Sequence, residues 1–142
     1  GRFINDSMGG YIGKKVVKKL ISLGKSIHEA KVLVLGITFK ENVSDIRNTK
    51  VADIVNELKE YSCNVDVVDP YASSQEVLNE YGFPLSSEIG KGYDAVVVAV
   101  AHDQYKNLTE DYFLSITSDN PLLVDIKGLY RNKIEKMAYW SL

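Results

Sequence analysis

The chain has 142 residues, 45% hydrophobic and 25% charged, the balance of one globular domain with a sizeable core. A net charge of -2 argues against a nucleic-acid binder, and no apolar run approaches the ~18 residues of a membrane span. A single cysteine, Cys63, excludes an internal disulfide framework and a cysteine-cluster zinc site, and His28 and His102 show no metal-ligand spacing.

Residues 4–23 read as a helix, because Ile4, Met8, Ile12, Val16 and Leu20 recur at four-residue steps with Val17 and Ile21 beside them. Gly9, Gly10 and Gly13 weaken it, each by roughly 1 kcal/mol against alanine. Such a helix is expected either to lean on another domain or subunit or to be the frayed end of a truncated helix. Residues 31–36 form a short apolar run ending at Gly36, the pattern of a strand buried on both faces. A polar loop spans 37–48. Val51, Ile54, Val55 and Leu58 then keep helical spacing, with Asn48 or Thr49 as the expected N-cap. Residues 64–69 are the next strand, 73–81 a short helix, and 94–101 the strongest strand of the chain. Helix is expected over 108–116, a last core strand over 122–126, and a final helix within 131–142. This alternation predicts an α/β fold with a parallel sheet and helices on both faces.

Ligands of open parallel sheets bind beyond the carboxyl ends of the strands. The residues there are Thr38, Phe39, Lys40, Asp45 and Arg47 after the first strand, and Asp69 and Tyr71 after the second. His102 and Asp103 follow the third, and Lys127 the last. Three cations, two ring faces and a nearby helix N-terminus suit a phosphorylated ligand with a flat base. Asp45 and Arg47 also read as a local ion pair, and His102 as a cap on the loop after its strand. Cys63, just before a strand, reads as a small buried apolar residue. No G-x-G-x-x-G fingerprint occurs, and the glycine spacing ahead of Lys14 does not make a P-loop.

Residues 36–49, Gly-Ile-Thr-Phe-Lys-Glu-Asn-Val-Ser-Asp-Ile-Arg-Asn-Thr, resemble the Gly-x-x-Phe-Lys … Asp-x-Arg-x-Ser/Thr segment of the UDP-sugar 6-dehydrogenases. The resemblance is narrower still to the branch that oxidises UDP-N-acetylhexosamines in Vi-type and O-antigen polysaccharide synthesis. Residues 1–8, 68–71 and 124–127 agree in the same order. The resemblance implies a three-layer Rossmann-like α/β domain preceded by the end of a long interdomain helix. Residues 1–24 would close a central linker and dimerisation helix, and 25–142 would be the C-terminal UDP-sugar-binding domain. An N-terminal NAD domain and the catalytic cysteine would lie upstream, so this chain would be part of a longer enzyme and inactive alone. By position, Phe39 and Lys40 match the pair lining the UDP-sugar site, and Arg47 the arginine reaching toward NAD. Lys127 stands near the UDP end, where relatives often carry arginine, which is not equivalent at a bidentate site. No catalytic residue is expected in this chain, and Cys63 lacks the setting of the family cysteine. The implied enzyme is a cytoplasmic homo-oligomer acting on a UDP-sugar with NAD, without nucleic acid or membrane partners. The alternative is a free-standing nucleotide-binding or dimerisation module without catalysis.

Overall fold

A computed structural model of the chain describes residues 8–142. The elements are α1 (Met8–Ser22), β1 (Lys31–Leu35), α2 (Val51–Glu60), β2 (Asn64–Val68), α3 (Ser74–Tyr81), β3 (Tyr93–Val98), α4 (Asp103–Lys106), α5 (Glu110–Ile116), β4 (Thr117–Asp125) and β5 (Ala138–Ser141). The five strands form one sheet in the order β2-β1-β3-β4-β5, every pair parallel.

The sheet separates two hydrophobic layers, as the pleat requires, since successive side chains point to opposite faces. Val32, Val34, Ala95, Val97, Leu122 and Val124 join Ile12, Val16 and Leu20 of α1 and Ile54, Val55 and Leu58 of α2 in one cluster. Leu33, Leu35, Val96, Val98 and Leu123 join Phe113 and Ile116 of α5, with Tyr105, Tyr130 and Met137, in the other. This is the three-layer α/β fold expected from the strand and helix alternation.

Four local expectations are corrected or refined. The tail is not a helix: residues 138–141 pair in parallel with 122–125 as β5. The amides of Glu135, Lys136 and Met137 donate to the Glu110 carboxylate and are withdrawn from any helical ladder. The residue bounding α2 is Lys50, which makes no side-chain cap bond of its own; Asn48 turns left-handed at φ +59°, and of the two expected residues Thr49 supplies the capping oxygen, its Oγ1 accepting Val51 N–H at 3.3 Å. Ile21 is exposed rather than part of the apolar stripe. The glycine face of α1 meets α2 of the same chain rather than another domain or a solvated end. A Cβ on Gly9 would lie 2.6 Å from Asp53 Cβ and 2.8 Å from the Lys50 carbonyl oxygen, and one on Gly13 would lie 2.7 Å from Glu57 Cβ. Ile4, the first residue of the expected stripe, lies outside the described residues.

Candidate nucleotide-binding cleft

The chain leaves β1 toward β2 on one side and returns to β3 on the other, so the carboxyl ends of β1 and β3 flank the point where strand order reverses. This is where parallel sheets open a crevice. Gly36 ends β1 with φ +97°, and a Cβ there would lie 2.6 Å from Val100 Cβ, so only glycine lets the two strand ends approach this closely.

A cleft of about 50 Å³ lies at this point, with room for a few waters or one phosphate-sized group. Thr38, Phe39 and Lys40 form its first wall, and Asn48 to Val51, leading into α2, form the second. Ala99 and Val100 line its floor, and Lys127 enters from the end of β4. The lining includes three lysines and no carboxylate, and the positive end of the α2 dipole adds to that field. Lys40 is exposed. Lys127 is half-buried, and burial pushes its amine below the usual lysine range while the charge of Glu41 opposes the shift.

Buried carboxylates stand behind both cationic loops. Asp69, after β2, accepts Ile37 N–H at 2.8 Å and His102 Nε2–H at 2.9 Å through Oδ2, and Tyr71 N–H at 2.8 Å through Oδ1. Burial alone would raise this carboxyl, yet the bonds from His102, Ile37 and Tyr71 outweigh it and hold Asp69 below the usual carboxylate range. Asp125, at the end of β4, is fully buried. It accepts Leu129 N–H at 2.9 Å, Tyr130 N–H at 2.7 Å and the Tyr139 hydroxyl at 2.6 Å, which fixes the turn that carries Lys127.

Phe39, Lys40 and Lys127 therefore meet in one cleft although 87 residues separate Lys40 from Lys127 in sequence (127 minus 40). Arg47 does not line it. Its guanidinium pairs with Asp45 at 3.0 Å, and the side-chain bond holds that carboxyl down at about 2. Arg47 belongs instead to a surface groove with Ile46, Glu76, Asn79 and Glu80. His102 does not cap the loop after its own strand. Its ring makes no cap bond to α4 and serves the loop after β1. Cys63 is buried and its thiol is pushed up by burial, the opposite of an activated nucleophile.

Sequence reasoning missed Lys50 on the cleft wall and the anchoring roles of Asn42 and Asp125. Asp125 had a visible signal, since it precedes Lys127 in a run where every neighbour is apolar. Asn42 had none, because its partners lie 29 to 61 residues away. Among the described residues no His, Cys, Asp and Glu cluster could hold a metal ion, and no helix is long and apolar enough to cross a membrane.

A three-layer parallel α/β domain with a lysine-lined cleft at the strand-order reversal defines a nucleotide-binding class of domain. Residues 33–132 match the model of the UDP-glucose/GDP-mannose dehydrogenase family, UDP binding domain, and the chain belongs to that family. The UDP-N-acetyl-D-glucosamine 6-dehydrogenase of Salmonella typhi is 43% identical over 128 residues, covering 89% of this chain and 30% of that protein. The enzyme of the same name from Pseudomonas aeruginosa is 41% identical over 130 residues, 91% of this chain and 31% of that protein. Among solved structures, the NDP-N-acetyl-D-galactosaminuronic acid dehydrogenase of Methanosarcina mazei superposes with a TM-score of 0.80 at 28% identity, over 96% of this chain and 29% of that one. The chain thus spans about 30% of the length of the curated relatives it matches.

Proposed function

We propose that this chain holds the UDP moiety of a UDP-N-acetylhexosamine within an NAD-dependent 6-dehydrogenase of polysaccharide biosynthesis. The observation that carries this is the convergence of Phe39, Lys40 and Lys127 on one cleft in a chain of a UDP-binding family. The two lysines and the α2 terminus neutralise the diphosphate, and the Phe39 ring offers an apolar face to the rest of the ligand. The chain's contribution to catalysis is positioning: it presents C6 of the sugar to chemistry carried elsewhere in the enzyme. In the whole enzyme, NAD would supply the oxidising power, two NAD per C6 hydroxyl taken to a carboxylate, with a water supplying the second oxygen.

The residues here do not fit NAD itself. A polar loop over 36–50, and not a tight glycine turn, joins β1 to α2, so no dinucleotide cradle forms at the first strand. Arg47 is the one residue we assign toward NAD. Its exposed guanidinium, braced by Asp45, is available to a neighbouring NAD domain. We place the whole enzyme in the cytoplasm as a homo-oligomer, with residues 1–24 closing its interdomain helix, in keeping with the family resemblance.

A ¹⁵N–¹H NMR titration of the chain with UDP, with NAD as control, tests the reading. Shifts at Phe39, Lys40 and Lys127 with UDP and none with NAD are expected. Shifts with neither ligand, in this chain and in a longer protein that contains it, would sink the assignment.

A further inference from the structure

Behind the cleft lies a buried acid–imidazole pair that UDP contact does not itself use. The Asp69 and His102 side chains are wholly shielded from solvent, and the Tyr71 and Tyr105 rings flank the imidazole at 4.7 and 5.6 Å. The pair joins the end of β2, the chain after β3 and the loop after β1. Imidazole Nδ1 accepts Asn42 N–H at 2.9 Å, so the ring proton sits on Nε2 and is donated to Asp69 Oδ2. The arrangement is no nucleophile relay. Thr38 Oγ1, 3.3 Å from Nε2, competes with Asp69 for the same nitrogen and gives its own proton to the Lys40 carbonyl at 2.8 Å.

These bonds all fall on one short segment. Ile37 is tied to Asp69, Lys40 to Thr38, and Asn42 to His102. Asn42 sits in the left-handed region at φ +61°, and its Oδ1 accepts Asp103 N–H at 2.9 Å, so both its backbone and its side chain are committed. Between these ties Phe39 is 49% exposed, with its ring at the cleft and Lys40 beside it.

We propose that His102, braced by Asp69, is a positioning residue of the nucleotide site that holds loop 37–42 in the conformation presenting Phe39 and Lys40 to the ligand. The proposal rests on the UDP reading above. A loop that is competent only part of the time lowers apparent affinity by that fraction, so a fall to ~10% competence weakens binding about tenfold.

The test uses the full chain with His102→Leu, His102→Gln and Phe113→Leu. Glutamine can offer an oxygen to Asn42 or a proton to Asp69, whereas leucine can offer neither. Phe113 is a fully buried core residue in the layer formed by α5, so its variant controls for lost stability alone. Amide hydrogen exchange at Ile37 and Asn42 is read beside UDP affinity by calorimetry. In His102→Leu both amides are expected to exchange faster while Leu123 in β4 does not, and UDP binding weakens at least about tenfold. His102→Gln recovers part of both, and Phe113→Leu lowers Tm without changing UDP affinity. Should His102→Leu fail to fold, His102→Asn, which can reach Asn42 but not Asp69, is expected to show the same two changes in smaller measure. Parent-like protection at Asn42, or equal UDP weakening in Phe113→Leu, overturns the proposal. A parent chain that binds no UDP sinks the nucleotide reading and this assignment together. A parent that binds UDP, with His102→Leu binding it equally well, sinks this assignment alone.

Discussion

The loop after β1 and the turn after β4 bring lysines to one cleft by different means. Lys127 is placed locally: Asp125, the last residue of β4, lies two residues before it, and two of the donors that fill its carboxylate come from the next five residues. Lys40 is placed from a distance, by Asp69 after β2 and His102 after β3, which hold the loop on either side of it. The local device yields a half-buried amine and the distant one an exposed amine. A short turn can be folded inward by its own strand, whereas a long loop needs outside supports that leave its tip in solvent.

The largest expected effect breaks the local side. Asp125→Ala leaves two amides and the Tyr139 hydroxyl without their acceptor, and should lower unfolding free energy by about 3–5 kcal/mol in urea titrations. That is a large part of the ~5–15 kcal/mol of a typical domain. A loss under ~1 kcal/mol would mean that water replaces the carboxylate and the turn is not held by it.

The lysines themselves sharpen the contrast. Lys127→Ala should cost about 1.5–3 kcal/mol of UDP binding, the range for a charged hydrogen bond, and Lys40→Ala less, because an exposed amine is better solvated in the free state. Equal losses would remove the distinction. Lys127 also predicts a pH limb. Its amine is held below the usual lysine range by burial, so rising pH removes its proton, and weakens UDP, earlier than for an ordinary lysine near pH ~10.4. In Lys127→Arg, which stays charged, that limb should move upward or vanish.

The second wall of the cleft is backed by packing, where α2 rests on the glycine face of α1. Gly9→Ala forces its new methyl against the Lys50 backbone and Asp53, and should cost about 1–2 kcal/mol despite the gain in helix propensity. Gly10→Ala meets nothing closer than 3.7 Å and should be neutral or stabilising. The same sign for both, in matched thermal melts, would show that the close contact is not made. The smallest effect belongs to Arg47→Ala, which should leave Tm and UDP affinity of this chain unchanged. A UDP loss as large as that of Lys127→Ala would place Arg47 in the cleft after all.

Much of this was legible in residues 31–36, 51–58 and 94–101, where apolar runs and periodicity marked elements that do form, although the third strand runs from Tyr93 to Val98 and stops short of Ala101. Phe39, Lys40 and Lys127 were legible as strand-end residues and by resemblance. Arg47 was equally visible as a strand-end cation, and the local ion pair with Asp45 that was also legible is the one it makes, outside the cleft. The tail misled because residues 131–137 carry helix-compatible spacing, and only the Glu110 carboxylate, 25 residues upstream, withdraws the Glu135 amide.

The sequence by itself determined the α/β alternation, the strand cores and the set of groups available at the sheet's carboxyl edge. Those follow from periods of two and 3.6 residues, which are properties of neighbours along the chain. Tertiary structure alone decided that β1 lies between β2 and β3, that the glycines of α1 serve α2, and that His102 answers to Asn42. Each is a contact between groups far apart in sequence, chosen by strand pairing and by the need of buried polar atoms for partners, and neither leaves a periodic trace.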